Sequence, residues 1–407
     1  MKAKLPKVAV LCSQFAAYHV DRCVALADRL AGRAEVIAVE VASASSVYAW
    51  PPSGEVAGAE KRTLFPGRSH DEIGTFARLW HQWRALRGCR VAYIGVSYHY
   101  RDIIMLAWLL RLGGTRVILM SDSKFDDLPR RVWFELFKAF LLLGCSGVIV
   151  AGLRQIAYYR SLGFVRRPVL PGYDGVSVAR IRAEVARNSP GPVPFDQRPF
   201  LFIGRFVPKK NLAELLDGYA LYVRAAGAGA RRLVLVGAGP QEAELRARCE
   251  TLAIAGQVDF PGFLDADGVA AELGRALALV LVSRVEQWGL VVNEALAAGL
   301  PVIASPAVGA TDALLRNSLN GYIVEPGSRE GLAAAMQALA GDEALWGRFA
   351  AHSEARAALG DVGLMVDAAE ILFDGGSAEA RARIDRFMAE MGHDPAMDRP
   401  DAAMYFR

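Results

Sequence analysis

The chain has 407 residues, of which 53% are hydrophobic and 22% charged, a composition typical of globular rather than disordered proteins. This length predicts two domains of ordinary size. No uninterrupted apolar stretch reaches the roughly 18 residues of a membrane span, and the apolar run near the start is only strand-sized; we therefore expect no signal peptide and a cytoplasmic location.

Basic residues are concentrated in the first part of the chain. Residues 1–170 contain 24 Lys and Arg against 13 Asp and Glu, whereas the remainder has 23 against 30. This asymmetry favours an anionic partner for the first half, such as a membrane surface or a phosphorylated acceptor; a solvated basic surface explains it equally well. The basic residues are dispersed and lack a recognition motif, which argues against nucleic acid. The five cysteines form no CxxC pair, so we expect neither disulfides nor a metal site.

Short β-rich apolar runs alternate with helical patterns over residues 1–184. Strands are predicted at KVAVLC (7–12), EVIAVEV (35–41), RVAYIGV (90–96), RVILM (116–120) and GVIVA (147–151), with helices near 20–30, 71–86, 102–112 and 129–143. This alternation is typical of parallel strands joined by crossover helices. We predict a doubly wound, Rossmann-like domain over residues 1–184.

The alternation stops at residues 185–198, where prolines and polar turn residues predict a linker. It resumes with FLFIG, RLVLVG, VDF, LALVLVS, LPVIAS and NGYIVEP as strands. Asn211 and Glu214 have the spacing of a capping box before an apolar helical stripe. The sequence predicts a second Rossmann-like domain at 199–376, and a C-terminal helix and loose tail at 377–407 that are candidates to pack back on the first domain. Because ligands of such sheets bind outside the carboxyl ends of the strands, we expect the two domains to face each other across a cleft.

Two cations lie in the loop after the first strand of the second domain. In FIGRFVPKKN, Arg205 and Lys210 follow a predicted strand and precede a predicted helix. Fixed cations at this edge of a sheet can neutralise a diphosphate. An ordinary pair of surface cations is the alternative interpretation.

The stretch VEQWGLVVNEALAAGLPVIAS places Glu286 in a loop after a strand and Glu294 one turn into the next helix. Eight residues on one helix would turn them roughly 80° apart, so we expect the two carboxylates to have different roles. Gly289 lets a ligand approach the backbone, and the N–H groups of Leu290 and Val291 can bind phosphate at the helix N-terminus. Glu294 could accept both hydroxyls of a ribose. For Glu286, a capping acid near the helix dipole is the alternative.

Five segments in order carry a family resemblance: GRFVPKKN, LVLVGAGPQEAEL, VDFPGFLDADGVAAEL, SRVEQWGLVVNEALAAGLPVIAS and NGYIVEPGS. They resemble the successive motifs of the retaining glycosyltransferases of family 4, also called group 1, over nearly all of residues 199–330. The Glu-x7-Glu element with its GLPV sequel is highly specific. The resemblance implies the GT-B fold, and a sugar donor linked to UDP or GDP that binds to the second domain.

The same resemblance implies an acceptor bound by the first domain, retention at the anomeric carbon, and no metal or other cofactor. The acceptor would be a saccharide, a lipid-linked or a small-molecule hydroxyl, in surface polysaccharide or glycoconjugate biosynthesis. By this analogy Arg205 and Lys210 hold the diphosphate and Glu294 the ribose, while Glu286 is catalytic and faces the transferred sugar. An anionic acceptor and peripheral contact with the inner face of a membrane are compatible with the basic first domain.

The first domain departs from the family pattern at two places. CSQFAAYHVDRC replaces a Gly-Gly loop after the first strand, and LMSDSKFDD replaces a segment in which many family members have a histidine. Either Asp122 or His19 is therefore our candidate for the catalytic residue on the acceptor side. A turn cap and a surface histidine are the respective alternatives. The further candidates for the acceptor cleft are His99, Ser121, Tyr173 and Asp174.

Two other functions remain open. Gly237 and Gly239 give a GxG after a strand, as in dinucleotide-binding domains, but Glu242 occupies the position of the third glycine. An NAD-dependent oxidoreductase is the more distant alternative. The altered acceptor side leaves open a catalytically inactive homologue that only binds a sugar nucleotide.

Overall fold

The computed structural model describes residues 4–45, 52–127, 129–189 and 191–392. The predicted loose tail at 393–407 lies outside the described residues. Within them, none of the helices combines the length and apolar character needed to cross a membrane.

The strands, in chain order, are β1 (Lys7–Cys12), β2 (Glu35–Ala44), β3 (Glu60–Ser69), β4 (Val91–Ile94), β5 (Arg116–Ser121), β6 (Gly147–Val150), β7 (Val169–Pro171), β8 (Phe200–Ile203), β9 (Leu233–Val236), β10 (Val258–Gly262), β11 (Ala278–Leu281), β12 (Val302–Ala304) and β13 (Gly321–Ile323). Strands such as β4 (VAYI) and β11 (ALVL) are apolar and buried at every position, as expected where helices cover both faces of a parallel sheet.

The α-helices are α1 (Ala17–Arg29), α2 (Thr75–Leu86), α3 (Arg101–Leu112), α4 (Val132–Leu141), α5 (Leu153–Ser161), α6 (Val178–Asn188), α7 (Leu212–Ala226), α8 (Glu242–Thr251), α9 (Ala266–Arg275), α10 (Leu290–Ala297), α11 (Thr311–Leu314), α12 (Arg329–Gly341), α13 (Glu343–Arg356), α14 (Val362–Asp374) and α15 (Ala378–Glu390). A 3-10 turn, Leu142–Gly144, directly follows α4.

The strands form two separate parallel sheets. The first has the order β3-β2-β1-β4-β5-β6-β7 and the second the order β10-β9-β8-β11-β12-β13. In each sheet the chain starts in the middle, winds to one edge, and then returns to wind to the other. The direction reverses between β1 and β4 in the first sheet and between β8 and β11 in the second. The prediction of two doubly wound α/β folds is therefore confirmed.

Each predicted strand is present, but β3 and β7 were not predicted. β3 is an edge strand that pairs only with β2, and its sequence, EKRTLFPGRS, lacks the apolar alternation of a half-buried strand. β7 is also at an edge and has three residues. Edge strands have fewer neighbours to demand apolar side chains, which explains why the pattern missed them.

The chain divides into two compact units at other positions than the sequence predicts. Unit 1 comprises Met1–Ser177 and Val362–Arg407, and unit 2 comprises Val178–Asp361. Helix α6, expected in the first domain and linker, packs on α9 and α10 within unit 2. Helix α14, expected in the second domain, packs on α1 within unit 1, and α15 packs on α14.

Long-range contacts fix α14 in unit 1. The Tyr93 hydroxyl donates to the Ala369 carbonyl at 2.6 Å, and Arg29 on α1 pairs with Asp367 at 2.7 Å and with Glu370 at 2.9 Å. Both carboxylates are almost fully buried. These partners are at least 276 residues apart in the sequence, so no local pattern could reveal the association.

Candidate functional site

The two loops that meet at the switch point of the second sheet are those after β8 and β11. Lys210, at the end of the first loop, contacts the carboxylate of Glu286 in the second. The Ser283 hydroxyl also donates to Glu286, at 3.3 Å. Both charged side chains are about nine-tenths buried, and Arg205 lies half-buried in the same loop as Lys210. Since ligands of such sheets bind outside this edge, the ion pair lies at the expected binding position.

A hydrogen-bond network links the two loops. Arg284 donates its backbone N–H to the Lys209 carbonyl at 2.8 Å, and its guanidinium contacts Asn211 at 3.0 Å and Glu214 at 2.6 Å. Asn211 donates to Glu214 at 2.7 Å and to the Val282 carbonyl at 3.2 Å. The loop after β8 is therefore held in place by the end of β11.

The predicted capping box at Asn211 and Glu214 is wrong. Asn211 has a left-handed backbone (φ 60°), and its side chain caps no N–H of α7. Its oxygen accepts from Arg284 instead. The sequence spacing was correct for a cap, but a residue from a distant loop supplies the partner.

Helix α10 begins at Leu290, as predicted. Gly289 precedes it with a left-handed backbone (φ 95°), and a Cβ there would lie 3.1 Å from Val308 and 3.2 Å from Leu281. Glycine is therefore required by both conformation and space. The first N–H groups of a helix, here those of Leu290 and Val291, have no partner within the helix and can bind an anion.

Glu294 lies half-buried in α10 beside α6. Burial raises the pKa of its carboxyl to about 7, with Arg180 opposing the rise and Glu184 adding to it. Glu286 and Glu294 therefore have different partners and surroundings, as their spacing predicted. The carboxyl of Glu294 exchanges its proton near neutral pH.

The GxG after β9 is explained by backbone packing. A Cβ on Gly237 would lie 1.9 Å from the Gly204 carbonyl oxygen, and one on Gly239 would lie 2.4 Å from the Phe206 carbonyl oxygen. Phe206 also donates its N–H to the Ala238 carbonyl at 2.9 Å. The two glycines let the loop after β9 support the loop that carries Arg205, so their spacing needs no dinucleotide to account for it.

In unit 1, a buried charged cluster lies near the ends of β1 and β7. Arg22 on α1 is 2% exposed; its guanidinium is 3.6 Å from Asp174 and donates to the Gly175 carbonyl at 3.3 Å. Burial and the neighbouring Asp122 raise the pKa of Asp174 to about 8, while Arg22 opposes the rise.

Sequence reasoning missed Arg22. The available signal was its position on the buried face of α1, where it is flanked by Cys23 and Leu26. An arginine on the inward face of an amphipathic helix needs a buried anionic or carbonyl partner.

The sequence pattern predicts His19 in the loop after the first strand, but the residue lies in the first turn of α1. Its Nδ1 accepts the Ala16 N–H at 3.0 Å, in the manner of a helix cap. Burial, and secondarily Arg22, lower the pKa of this imidazole well below its usual value. A neutral imidazole that accepts through Nδ1 carries its proton on Nε2. His19 is therefore equipped to donate a hydrogen bond and poorly suited to act as a base.

The other candidates on the acceptor side differ in exposure. Ser121 ends β5 and is buried, whereas Asp122 after it is half-buried. Tyr173 is buried as well, and the guanidinium carbon of Arg22 lies 4.8 Å from its ring centroid. The ring of Tyr173 therefore packs largely inside unit 1.

His99 belongs to a different neighbourhood. It is exposed after β4, pairs through Nδ1 with the Ser97 hydroxyl at 2.9 Å, and stacks on Tyr98 with ring centroids 4.9 Å apart. Partial burial lowers its pKa, with smaller contributions from Lys138 and Arg130. These contacts associate His99 with α4 rather than with the Arg22 cluster.

In the part of the chain that the structure describes, no group of three or more His, Cys, Asp and Glu side chains could hold a metal ion. The five cysteines are buried, unpaired thiols.

Comparison with protein families matches residues 189–356 to the family described as glycosyl transferases group 1. This segment contains β8 to β13 and every residue that we place at the switch point of the second sheet. Over this segment, the chain matches the group 1 glycosyltransferases. The resemblance found in the sequence motifs is thus confirmed.

Proteins named as glycosyltransferases align with part of the chain. An uncharacterised glycosyltransferase of Methanocaldococcus jannaschii is 29% identical over 152 residues, which are 37% of either protein. LpsE of Rhizobium meliloti, a lipopolysaccharide core biosynthesis glycosyltransferase, is 30% identical over 230 residues, 56% of this chain and 62% of LpsE. The chain therefore spans between about two-fifths and three-fifths of these relatives.

A solved structure extends the likeness to both units. HepE of Anabaena, in complex with UDP-glucose, has a TM-score of 0.66 and 16% identity, and the match covers 90% of this chain and 99% of HepE. At this identity the likeness concerns the fold. The two doubly wound units have the GT-B architecture, as predicted.

Proposed function

We propose that the chain is a retaining glycosyltransferase of family 4. It moves a sugar from a UDP- or GDP-linked donor to the hydroxyl of a saccharide, lipid-linked or small-molecule acceptor. The observation that carries this proposal is the Lys210–Glu286 pair at the switch point of the group 1 sheet, with Arg205 in the same loop. The UDP-glucose complex of HepE, which shares the fold, supports a nucleotide-sugar donor.

Unit 2 would bind the donor through its diphosphate and ribose. Arg205, Lys210 and the N–H groups of Leu290 and Val291 supply positive charge and donors to the diphosphate. The ionised carboxylate of Glu294 would accept the ribose hydroxyls. These groups fulfil the task that a metal ion would otherwise perform, so we propose that the enzyme requires neither a metal nor a cofactor beyond the donor.

The reaction would break the bond between the anomeric carbon and the diphosphate and form one to the acceptor oxygen on the same face. The acceptor proton passes to the leaving phosphate oxygen, so the diphosphate departs with one proton. Lys210 and Arg205 stabilise the negative charge that develops on the leaving group, and Glu286 orients the sugar and stabilises positive charge at the anomeric carbon.

Unit 1 would bind the acceptor. Asp122 is the half-buried carboxylate suited to orient a hydroxyl, and His19 can donate from Nε2. Asp174, Tyr173 and Ser121 would support this edge from within, while His99 would contact a more distant part of the acceptor. The basic balance of residues 1–170 supports an anionic or lipid-linked acceptor and peripheral contact with the cytoplasmic face of a membrane. The name of LpsE supports a role in surface polysaccharide or glycoconjugate assembly.

A thermal-shift panel of UDP, GDP, ADP, their sugar conjugates and NAD tests the donor, because a ligand of the folded state raises its apparent stability. We expect one diphosphate nucleotide to raise the melting temperature of the wild type and of Arg224→Ala, an exposed control on α7, but not of Arg205→Ala. A rise with NAD alone would overturn the proposal. Release of the nucleoside diphosphate from its sugar conjugate then distinguishes a transferase from a homologue that only binds.

A further inference from the structure

Helix α4 in unit 1 exposes its apolar side chains to solvent and turns its charged side chains toward the protein. Its sequence is VWFELFKAFL, and it contains no buried residue. Trp133 is 82% exposed, Phe137 60% and Phe140 61%, whereas the side chains of Glu135 and Lys138 are only 12% and 16% exposed. The aromatic side chains therefore face outward and the charged pair faces the protein.

Contacts beneath the helix fix this orientation. Lys138 donates to Glu135 at 3.0 Å and to the Tyr158 hydroxyl at 2.6 Å, and Arg130 lies 3.5 Å from Glu135. The Tyr158 hydroxyl donates to Glu135 at 2.8 Å. Turning α4 to bury its aromatic face would break the hydrogen bonds that Glu135 and Lys138 make with the protein beneath the helix. The outward apolar face is part of the folded state.

Two further helices present apolar side chains to solvent. On α2, Phe76 is 79% exposed and Trp80 56%, at a spacing that places them on one stripe. On α3, Met105, Leu109 and Leu112 follow the same rule, and Leu112 is 81% exposed. Monomeric soluble proteins rarely expose so much contiguous apolar surface unless something binds there.

These helices are neighbours. Helix α2 packs on α3, and α3 packs on the turn after α4. The Trp108 indole on α3 donates to the Leu141 carbonyl at the end of α4, at 3.1 Å, and a Cβ on Gly144 would lie 3.3 Å from the same indole. We call α2, α3, α4 and the turn Leu142–Gly144 the apolar helix layer.

Exposed arginines accompany this apolar surface. Arg84 and Arg87 continue the Phe76 and Trp80 stripe of α2, Arg101 begins the exposed stripe of α3, and Arg131 immediately precedes α4. Among the described residues from 75 to 143, one acidic residue, Asp126, is exposed. Its carboxylate is paired with Lys124 at 2.9 Å and with Arg154 at 3.3 Å. Exposed aromatic residues with flanking arginines match the chemistry of an anionic lipid surface.

We propose that the apolar helix layer docks unit 1 on an anionic lipid bilayer, with α4 lying in the interface and its Trp133 and Phe137 side chains inserted. The ten residues of α4 are about 15 Å long, too short to cross the hydrocarbon core, so the helix lies along the surface. This inference rests on the membrane contact in the proposed function and names the surface and the lipid charge responsible for it. A lipid-linked acceptor would be delivered to the same unit.

Flotation of the full chain with vesicles tests this inference. We expect the wild type to float with phosphatidylcholine vesicles that contain phosphatidylglycerol, and more weakly with phosphatidylcholine alone or at high salt. Trp133→Ser combined with Phe137→Ser should lower the vesicle partition coefficient by about tenfold or more. Phe263→Ser, which removes an exposed phenylalanine from unit 2, should leave it unchanged.

Three outcomes would overturn the inference. The first is a wild type that does not float with the vesicles, and the second is a double variant that floats like the wild type. The third is a wild-type dimer that the double substitution dissociates, because a second copy of the chain would then cover the apolar helix layer. Circular dichroism checks the fold of the variant. Its thermal shift with the donor nucleotide should equal that of the wild type, so failure of membrane docking and failure of the transferase proposal are distinguishable.

Discussion

Lys210 and Glu286 are 76 residues apart in the sequence, yet their charged groups are in contact where the loops after β8 and β11 meet. Both side chains are largely removed from water, so each charge depends on the other for compensation. An anionic diphosphate could replace Glu286 as the partner of Lys210. The carboxylate would then be released toward the bound sugar.

Glu286→Gln tests this exchange. The amide keeps the shape but removes the negative charge, so Lys210 becomes fully available to an anion. We expect calorimetry to show equal or tighter binding of the free nucleoside diphosphate, while transfer falls by at least about 100-fold because charge stabilisation at the sugar is lost.

Glu250→Gln, an exposed change on α8, is the matched control and should alter neither property. Weaker diphosphate binding in Glu286→Gln would contradict the exchange, since it would mean that the carboxylate supports the loop rather than competes with the ligand.

Glu294→Gln should change how donor binding depends on pH. The carboxyl titrates at about 7, and only its ionised form accepts both ribose hydroxyls. We expect the donor affinity of the wild type to rise as the pH increases through about 7, whereas that of the glutamine variant stays low and flat. Glu294→Ala should also bind donor weakly without unfolding. Isothermal titration across this range measures the effect, and equal affinities would contradict the ribose assignment.

Raising the pH should have the opposite effect on stability: it strengthens donor binding by the wild type but lowers the free energy of unfolding of the wild type relative to Glu294→Gln. The native state holds the Glu294 proton more tightly than the unfolded chain, whose reference pKa is 4.5. The free energy of unfolding of the wild type, relative to Glu294→Gln, therefore falls between pH 4.5 and about 7, by up to about 3 kcal/mol. Urea denaturation of both proteins and of the exposed control Glu330→Gln measures the difference.

The sequence predicted those features that depend on local chemistry. The strand and the glycine that flank Glu286 located it at a sheet edge and placed the start of α10 at Leu290. The position of Arg205 followed from a strand and a loop in the same way. By contrast, the Lys210–Glu286 contact, the capture of Asn211 by Arg284 and the return of α14 to unit 1 depend on residues far apart in sequence. The prediction that His19 lies in a loop was wrong. Its side chain closes the first turn of α1, whereas the residues that usually cap a helix are Ser, Thr, Asp and Asn.

Gly237→Ala should destabilise unit 2. The added Cβ would lie 1.9 Å from the Gly204 carbonyl oxygen, and the backbone there has φ 133°, which side chains rarely adopt. We expect a loss of about 2–4 kcal/mol in the free energy of unfolding, together with weaker donor binding, because the displaced loop carries Arg205. Gly256→Ala meets no atom within 4 Å and should change stability by less than about 0.5 kcal/mol. Denaturant titration of both variants decides whether packing explains the GxG.

Removal of divalent metal ions should leave transfer intact. Arg205, Lys210 and the N-terminus of α10 supply the positive charge that the leaving diphosphate needs. We expect EDTA-treated enzyme to retain its rate within about twofold. A rate that collapses with EDTA and recovers with Mg²⁺ or Mn²⁺ would show that these groups alone are insufficient.

Asp174→Asn should remove a pH-dependent loss of stability from unit 1. Burial and Asp122 raise the pKa of the Asp174 carboxyl from 3.8 to about 8, so the native state binds this proton more tightly than the unfolded chain. The free energy of unfolding of the wild type therefore falls, relative to the variant, as the pH rises between these values. The asparagine keeps an oxygen that can accept from Arg22. Asp196→Asn, an exposed change, controls for the loss of a carboxylate. Denaturation at about pH 5 and about pH 9 should show the variant gaining on the wild type at the higher pH. A constant difference would mean that Asp174 is ionised throughout and that Arg22 compensates its charge.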